Sequence, residues 1–248
     1  MKKIFAIAAS ALVLTAPVMS AQGNNQQDGP SAGDIAAYLG INGSTVGALP
    51  PLATNTLSAA GGIGWHLQYG RLTIDDETNA SSFAGGLDIS VGTARLGFTL
   101  GYQTFDCAEG LDCEGHLMIG SRYSRQLTGN KLGTNGGRWQ MGFEGELGVG
   151  LPENSRAMAI SVGLPVKLTF GKNMKVSPFV TPAFAHGSYK EGDVSESAMK
   201  FMVGAGVGLG FANGIGANFG MRKVFVDQGE TQYGLGFTIR PGSTRSKR

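Results

Sequence analysis

Alternation between large apolar residues and small or polar ones dominates the chain from residue 61 to residue 240. In QYGLGFTIR, residues 232–240, Tyr, Leu, Phe and Ile occupy the odd positions, and Gln, Gly, Gly and Thr occupy the even positions before the final Arg. Successive side chains of a β-strand point to opposite faces, so this period of two predicts a strand with one apolar face. Similar stretches recur between turn residues. They predict an all-β protein of ten antiparallel strands, with eight as the alternative.

The second face of these strands separates two kinds of barrel. A soluble barrel or sandwich needs a charged exterior, yet only 15% of the residues are charged and 41 are glycine. A transmembrane β-barrel turns its apolar face to lipid and its small residues to a confined lumen. Most of the stretches have the roughly 9–11 residues that a tilted strand needs to cross the hydrocarbon. The pattern therefore predicts an up-and-down transmembrane β-barrel over residues 59–240.

One uncharged segment offers a helical alternative. Residues 201–221 carry no charge, and that length nominally suffices for a transmembrane helix. However, glycine occupies every second position from 204 to 210, and each glycine costs a helix about 1 kcal/mol. Asn213 and Gly214 also form a hairpin signal in the middle of the segment. Two strands and a turn are the better prediction.

The two ends of the chain have compositions of their own. Residues 1–21 combine two lysines, an apolar run and small residues, as a secretory signal peptide does, with an N-terminal membrane anchor as the alternative. Residues 22–58 form a lead of low charge with one short helical candidate at residues 31–40. We expect this lead to be a flexible tail on the periplasmic side, and a plug in the lumen is the alternative. Residues 241–248 are a basic tail.

The chain contains two cysteines, Cys107 and Cys113, in an acidic segment that contains glycine. Two cysteines close together in an exported chain predict a local disulfide. A metal site is the alternative, but His116 would supply at most a third ligand. We predict neither a metal nor a cofactor.

The connections between the predicted strands fall into two kinds. Short turns are expected at Gly92-Thr93, at residues 171–173 and at residues 212–214, whereas LTIDDETNAS, DCAEGLDCEG and SYKEGDVSES are longer and acidic. Short periplasmic turns alternating with longer outer loops are typical of outer-membrane barrels. TGNKLGTNGG is long for a periplasmic turn and PENS is short for an outer loop, which is why eight strands remain the alternative.

Several charged residues fall on the faces predicted to line the lumen. They could form ion pairs that offset the cost of burying charge, or a constriction that selects small solutes. If Gln126 opposes Gln140 across adjacent strands, Arg122 lies opposite Glu144 and forms an ion pair with it. The predicted lumen-lining residues are His66, Asp88, Arg95, Arg122, Glu144, Glu146, Lys167, Lys200 and Arg222.

From about residue 61 to 240 the chain resembles the small outer-membrane β-barrel proteins of diderm bacteria, of the porin-like and outer-membrane protein A-like kind. In the closing strand, Gln232, Gly234, Phe237 and Ile239 resemble the C-terminal signal that the barrel-assembly machinery recognises. The chain departs from the usual form because PGSTRSKR follows the strand. The resemblance implies export through the periplasm, location in the bacterial outer membrane, and contact with its lipid and lipopolysaccharide. A net charge of +2 indicates no nucleic-acid partner, and we expect a monomer.

The sequence leaves three classes of function open. The first is a membrane barrel that is either a narrow channel for small solutes or a structural protein, and we expect no enzyme. The alternative is an outer-membrane protease or lipid hydrolase with a site at the outer rim, where acids and histidine could activate water. Its candidate residues are Asp75, Asp76, His116 and His186. A loop-mediated adhesin is the second alternative.

Overall fold

The structure is a computed structural model that describes residues 62–73, 79–106, 115–132, 137–151, 155–171, 174–191, 194–225 and 231–240. The predicted signal peptide, the lead, the basic tail, both cysteines, Asp75 and Asp76 lie outside the described residues. The elements of the described part are strands: β1 (Gly62–Thr73), β2 (Asn79–Val91), β3 (Ala94–Asp106), β4 (His116–Leu132), β5 (Gly137–Leu151), β6 (Ser155–Gly163), β7 (Val166–Thr169), β8 (Met174–Glu191), β9 (Val194–Phe211), β10 (Ile215–Phe225) and β11 (Thr231–Ile239). The described part contains no helix with the length and apolarity of a membrane span.

The strands close into an antiparallel barrel whose wall is ten strands around. β1 pairs with β2 on one side and with β11 on the other, which removes every free edge. β6 and β7 occupy a single wall position, because both pair with β5 and with β8. The predicted ten-strand transmembrane barrel is confirmed, and the eight-strand alternative is wrong.

Proline explains why one wall strand is divided into β6 and β7. Pro165 has no backbone N–H and cannot donate to a neighbouring strand. Its carbonyl still accepts a hydrogen bond from Gly142 N at 2.9 Å, and Leu164 N donates to Pro182 O at 3.0 Å. The wall therefore stays continuous across the break.

Two predicted short turns lie at one end of the barrel. Gly92 and Thr93 connect β2 to β3, and residues 212–214 connect β9 to β10. Gly92 has φ +59° and Gly214 has φ +88°, a left-handed region that favours glycine. β1 begins and β11 ends at this same end, which we call the turn end. The opposite end is called the loop end.

The predicted long connections TGNKLGTNGG and SYKEGDVSES are largely strand. β4 continues to Leu132 before β5 begins at Gly137, and β8 continues to Glu191 before β9 begins at Val194. These extensions carry many polar residues, so no apolar alternation marks them in the sequence. The two hairpins there continue the backbone pairing of the wall.

The register between β4 and β5 differs from the prediction. Gln126 pairs with Gly142 instead of Gln140, and Arg122 pairs with Glu146 instead of Glu144. The hairpin closes further from the barrel than expected, and the ladder contains a bulge between Gln126 and Thr128. The bulge shifts the pairing by only one residue, and the remaining difference arises because the pairing runs to Leu132↔Gly137, where the hairpin turns later than predicted. The predicted opposition of Arg122 and Glu144 is therefore wrong.

The wall has its apolar face outward and its polar face inward. Large apolar side chains such as Trp65, Phe83 and Leu100 are 58–60% exposed on the outer face. Asp88 and Arg95, on the inner face, are 0% and 1% exposed. A continuous apolar exterior would drive aggregation in water, whereas the hydrocarbon of a bilayer matches it. The barrel is therefore built to sit in a membrane.

Gly101, on the inner face of β3, lies too close to its neighbours for any side chain. A Cβ there would lie 2.6 Å from the Ala84 Cβ and 2.9 Å from the Phe83 carbonyl oxygen. We expect Gly101→Ala to lower the free energy of unfolding by about 1–3 kcal/mol, the usual cost of overpacking. Urea unfolding in lipid vesicles measures the loss. The matched control is Gly145→Ala, where the nearest atom would be 3.8 Å away, and equal losses would contradict the steric explanation.

Candidate functional site

Most of the predicted lumen-lining residues lie deep inside the barrel. Eight of the nine are between 0% and 3% exposed: His66, Asp88, Arg95, Arg122, Glu144, Glu146, Lys167 and Arg222. Lys200 is half-buried on the inner row of β9, next to the end of its pairing with β10. Gln103 and Arg240 are also buried inside, although they were not among the predicted lumen-lining residues. Both continue the alternation of their strands, so the period of two could have identified them.

Four adjacent strands bring charged residues together around Asp88 in β2. The Arg95 Nη2 donates to Asp88 Oδ2 at 2.8 Å, and the Arg122 Nη2 donates to Asp88 Oδ1 at 3.1 Å. The His66 Nδ1 lies 3.1 Å from Asp88 Oδ2. We call His66, Asp88, Arg95 and Arg122 the Asp88 cluster. It joins β1, β2, β3 and β4 inside the lumen.

The Asp88 cluster balances the cost of burying its charges. An isolated buried charge is strongly unfavourable, and ion pairs with good hydrogen bonds offset that cost. The Asp88 carboxylate accepts from two guanidinium groups, while its own exposed fraction is 0%. A single carboxylate therefore stabilises two buried cations, which makes Asp88 the member whose loss matters most.

Thr99, His66 and Asp88 are connected in the order of a nucleophile, a base and an orienting acid. The His66 Nε2 lies 3.2 Å from Thr99 Oγ1, and the His66 Nδ1 faces Asp88. Hydrolytic triads share this connectivity. Here both Asp88 oxygens are already held by arginines, and Thr99 is 5% exposed. All three side chains are buried inside the barrel.

A second set of contacts spans the lumen itself. The Glu146 Oε2 in β5 accepts from Ser161 Oγ at 3.0 Å and from the Arg222 Nη2 of β10 at 3.5 Å. β5 and β10 are separated by other wall strands on both sides. We call this contact the Glu146–Arg222 bridge. Because two side chains suffice to cross the lumen there, the interior is narrow at that level.

The interior towards the loop end has a different character. Small or apolar side chains meet inside the wall, and each is at most 5% exposed. Met118 and Ala84 form a further buried pair. This apolar region was not predicted, because glycine and charged residues are the prominent members of these faces in the sequence. The inner apolar residues are Leu72, Ala80, Ala159, Ala183, Ala185, Met202 and Val224.

The two described residues proposed for a hydrolytic site, His116 and His186, are not brought together. His116 is 4% exposed on the inner face of β4. His186 lies on β8 between Ala185 and Gly187, which are buried inside, so it belongs to the outward-facing row. The two histidines thus lie on opposite faces of the wall. Among the described residues, no group of three or more His, Cys, Asp or Glu side chains could hold a metal ion.

The residues of the predicted assembly signal lie in the closing strand β11. Gln232 is buried on its inner face, while Phe237 and Ile239 are 50% and 54% exposed on its outer face. β11 pairs with β1 from Trp65↔Ile239 to Thr73↔Thr231, so this strand closes the barrel. Its role in recognition by the assembly machinery stays a prediction.

A closed antiparallel barrel with apolar side chains outside and paired charges inside has the architecture of bacterial outer-membrane β-barrel proteins. No protein-family model and no curated protein matches the chain.

Solved structures of outer-membrane proteins are similar in fold. The β domain of the Bordetella autotransporter BrkA has 14% identity, covers 73% of this chain and 99% of its own, and gives a TM-score of 0.45. The outer membrane enzyme PagL has 13% identity, with 71% and 98% coverage and a TM-score of 0.38. The outer membrane protease OmpT from Escherichia coli has 8% identity, with 75% and 99% coverage and a TM-score of 0.38. At such identities the likeness concerns the fold alone.

Proposed function

We propose that the protein is an integral outer-membrane β-barrel with a closed lumen, and that it acts as a structural membrane protein. The Glu146–Arg222 bridge carries this proposal, because it connects two distant strands across the interior. The charged lumen residues around it support the same conclusion. A steadily open, water-filled channel would leave its lining charges exposed, whereas eight of these nine are at most 3% exposed.

The apolar region towards the loop end adds a second barrier to solutes. Hydrophobic constrictions impede ions because water leaves them readily. The residues in this region are no more than 5% exposed. A hydrated solute would have to displace the Glu146–Arg222 bridge and also pass this apolar region, which supports a closed resting state.

The apolar exterior also supports the proposed partners. Its outward side chains would contact outer-membrane lipid and, in the outer leaflet, lipopolysaccharide, while the barrel-assembly machinery would act during biogenesis. We assign the chain to the outer membrane as a monomer that reaches it through the periplasm. The proposal assigns no reaction to the protein, in keeping with the separation of His116 and His186 by the wall.

A planar bilayer tests the closed lumen directly. We expect the wild-type chain to give no long-lived openings at either polarity, since its interior charges are paired and buried. Glu146→Ala combined with Arg222→Ala removes both ends of the bridge without leaving either charge alone, and we expect it to produce conductance. Steady openings of the wild-type protein would contradict the proposal.

The matched control for this experiment changes the outer face of the same two strands. Leu147 and Met221 are each 41% exposed on β5 and β10. Leu147→Ala combined with Met221→Ala should leave the bilayer silent. Circular dichroism of every variant in vesicles verifies that conductance is compared between folded barrels.

A further inference from the structure

The turn end of the lumen has a mouth formed by basic residues. Lys131 and Arg138 are exposed at the end of the β4–β5 hairpin, and Lys175 is half-buried at the start of β8. Arg138 and Lys175 continue the inner rows of their strands, and Lys131 shares the face of Arg138. We call Lys131, Arg138 and Lys175 the basic mouth.

Like charges meet within this mouth. Lys131 pairs directly with Arg138 in the β4–β5 ladder. Side chains at directly opposed positions have Cβ atoms about 4.5–5.5 Å apart, and like charges at such positions are destabilising. An anion near both would relieve that repulsion, so the mouth is suited to a negatively charged occupant.

The positive potential continues into the barrel. Lys167 is 1% exposed and lies close enough to Arg138, Lys175 and Arg240 for electrostatic interaction. The negative charge of Asp88 is already paired with two arginines, Arg95 and Arg122. The described residues 122–132, 137–143, 166–171 and 174–180 contain no acid. A predominantly positive surface inside a low-dielectric wall concentrates anions.

The chain itself supplies two acidic residues before β1. β1 begins at Gly62 at the turn end, so the preceding residues join the barrel beside the basic mouth. Residues 22–61 contain Asp28 and Asp34 and no lysine, arginine or histidine. A random coil with as many residues as separate Asp34 from Gly62 would have an end-to-end distance of about 30 Å. Such tethering gives the acids a millimolar-range effective concentration at the mouth.

We propose that the lead, residues 22–58, docks in the basic mouth, with Asp28 and Asp34 close to Lys131, Arg138 and Lys175. Charge complementarity and the position where the lead joins β1 carry this inference, which does not depend on the lumen being closed. The composition of the lead by itself favoured a mobile tail. The basic mouth changes that preference, because it brings Lys175 of β8 to the same end of the lumen as the paired Lys131 and Arg138 of the β4–β5 hairpin.

Protease protection of the lead tests the docking. The mature chain is folded in nanodiscs of zwitterionic phosphocholine lipid, which expose both rims, and treated with thermolysin. At an ionic strength of 0.01 M the Debye length is about 30 Å, and at 1 M it is about 3 Å. We expect cleavage within residues 22–58 to be at least about tenfold faster at 1 M, because screening weakens the attraction of the mouth. Equal rates at the two ionic strengths would overturn the proposal.

Charge reversal identifies the partners. Arg138→Glu with Lys175→Glu, or Asp28→Lys with Asp34→Lys, should each speed cleavage about tenfold at low salt, and the combination of all four should restore protection. The control reverses two exposed basic residues at the loop end, Arg156→Glu with Lys223→Glu, and should leave the rate unchanged. Fast cleavage in the fourfold variant would show that the mouth serves another anion and would refute the pairing. Tryptophan fluorescence verifies that each barrel is folded.

Discussion

Asp88→Asn should lower the free energy of unfolding by about 3–5 kcal/mol, because removing one partner of a buried ion pair leaves the other charge uncompensated. Two charges are affected here, since Arg95 and Arg122 both donate to this carboxylate and both are at most 2% exposed. Asparagine preserves the volume of the side chain, so the loss reports charge and hydrogen bonding. Urea unfolding in phospholipid vesicles measures it.

Ser90→Ala is the matched control for Asp88→Asn. Ser90 lies two residues away on the same inner face, is 7% exposed and accepts a hydrogen bond from Arg240 at 3.3 Å. Loss of this hydrogen bond should lower the free energy of unfolding by about 1 kcal/mol. The double variant Asp88→Asn with Arg122→Gln also removes one of the cations. Its loss of unfolding free energy should therefore be smaller than the sum of the losses in the two single variants. If Asp88→Asn costs no more than Ser90→Ala, the Asp88 cluster does not stabilise the barrel.

Leu100→Arg should lower the free energy of folding into lipid by about 2–4 kcal/mol, the cost of arginine on the lipid face near the middle of the bilayer. Leu100 lies in the middle of β3 and is 60% exposed on the outer face. The matched control is Leu96→Arg, on the same face nearer the turn end, where the cost should fall to about 0–1 kcal/mol. Refolding into vesicles at a series of urea concentrations compares the two variants.

These two variants also test the membrane location. In a water-soluble protein neither exposed leucine would need lipid, and both substitutions would be tolerated. Equal, small effects of Leu100→Arg and Leu96→Arg would therefore contradict a bilayer around this face. A wild-type chain that folds to a stable monomer in water without detergent would contradict it as well. Gly101→Arg is unsuitable as the inner-face counterpart, because Ala84 and the Phe83 carbonyl already occupy the space.

The period of two was sufficient to predict the strands and their faces. In β11, the alternation of Tyr233, Leu235 and Phe237 with Gln and Gly predicted which side chains face outward, and all three are 40–50% exposed. The turns at residues 92–93 and 212–214 were equally visible, because left-handed backbone favours glycine. These features are local, because each depends on residues that are neighbours in the sequence. The lipid requires apolar side chains on the outer face of every strand alike.

Local sequence patterns could not predict which side chains pair with each other across the barrel. The Asp88 cluster joins residues from position 66 to position 122, and the Glu146–Arg222 bridge joins two strands that are not neighbours. The sequence indicated that these charges face inward. Which charges meet depends on register, and the register between β4 and β5 follows from where their hairpin turns, beyond Leu132↔Gly137, and from the bulge after Gln126.

The sequence by itself thus determined the class of fold, the approximate strands and the face of each residue, since side-chain alternation and turn chemistry act over a few residues. The tertiary structure decided the full extent of the two long hairpins, the ion pairs and the apolar region of the lumen. It also decided that Lys175 lies at the same end of the lumen as the pair of Lys131 and Arg138. Those features depend on barrel closure, which sets distances between side chains on separate strands. No period along a single strand contains that information.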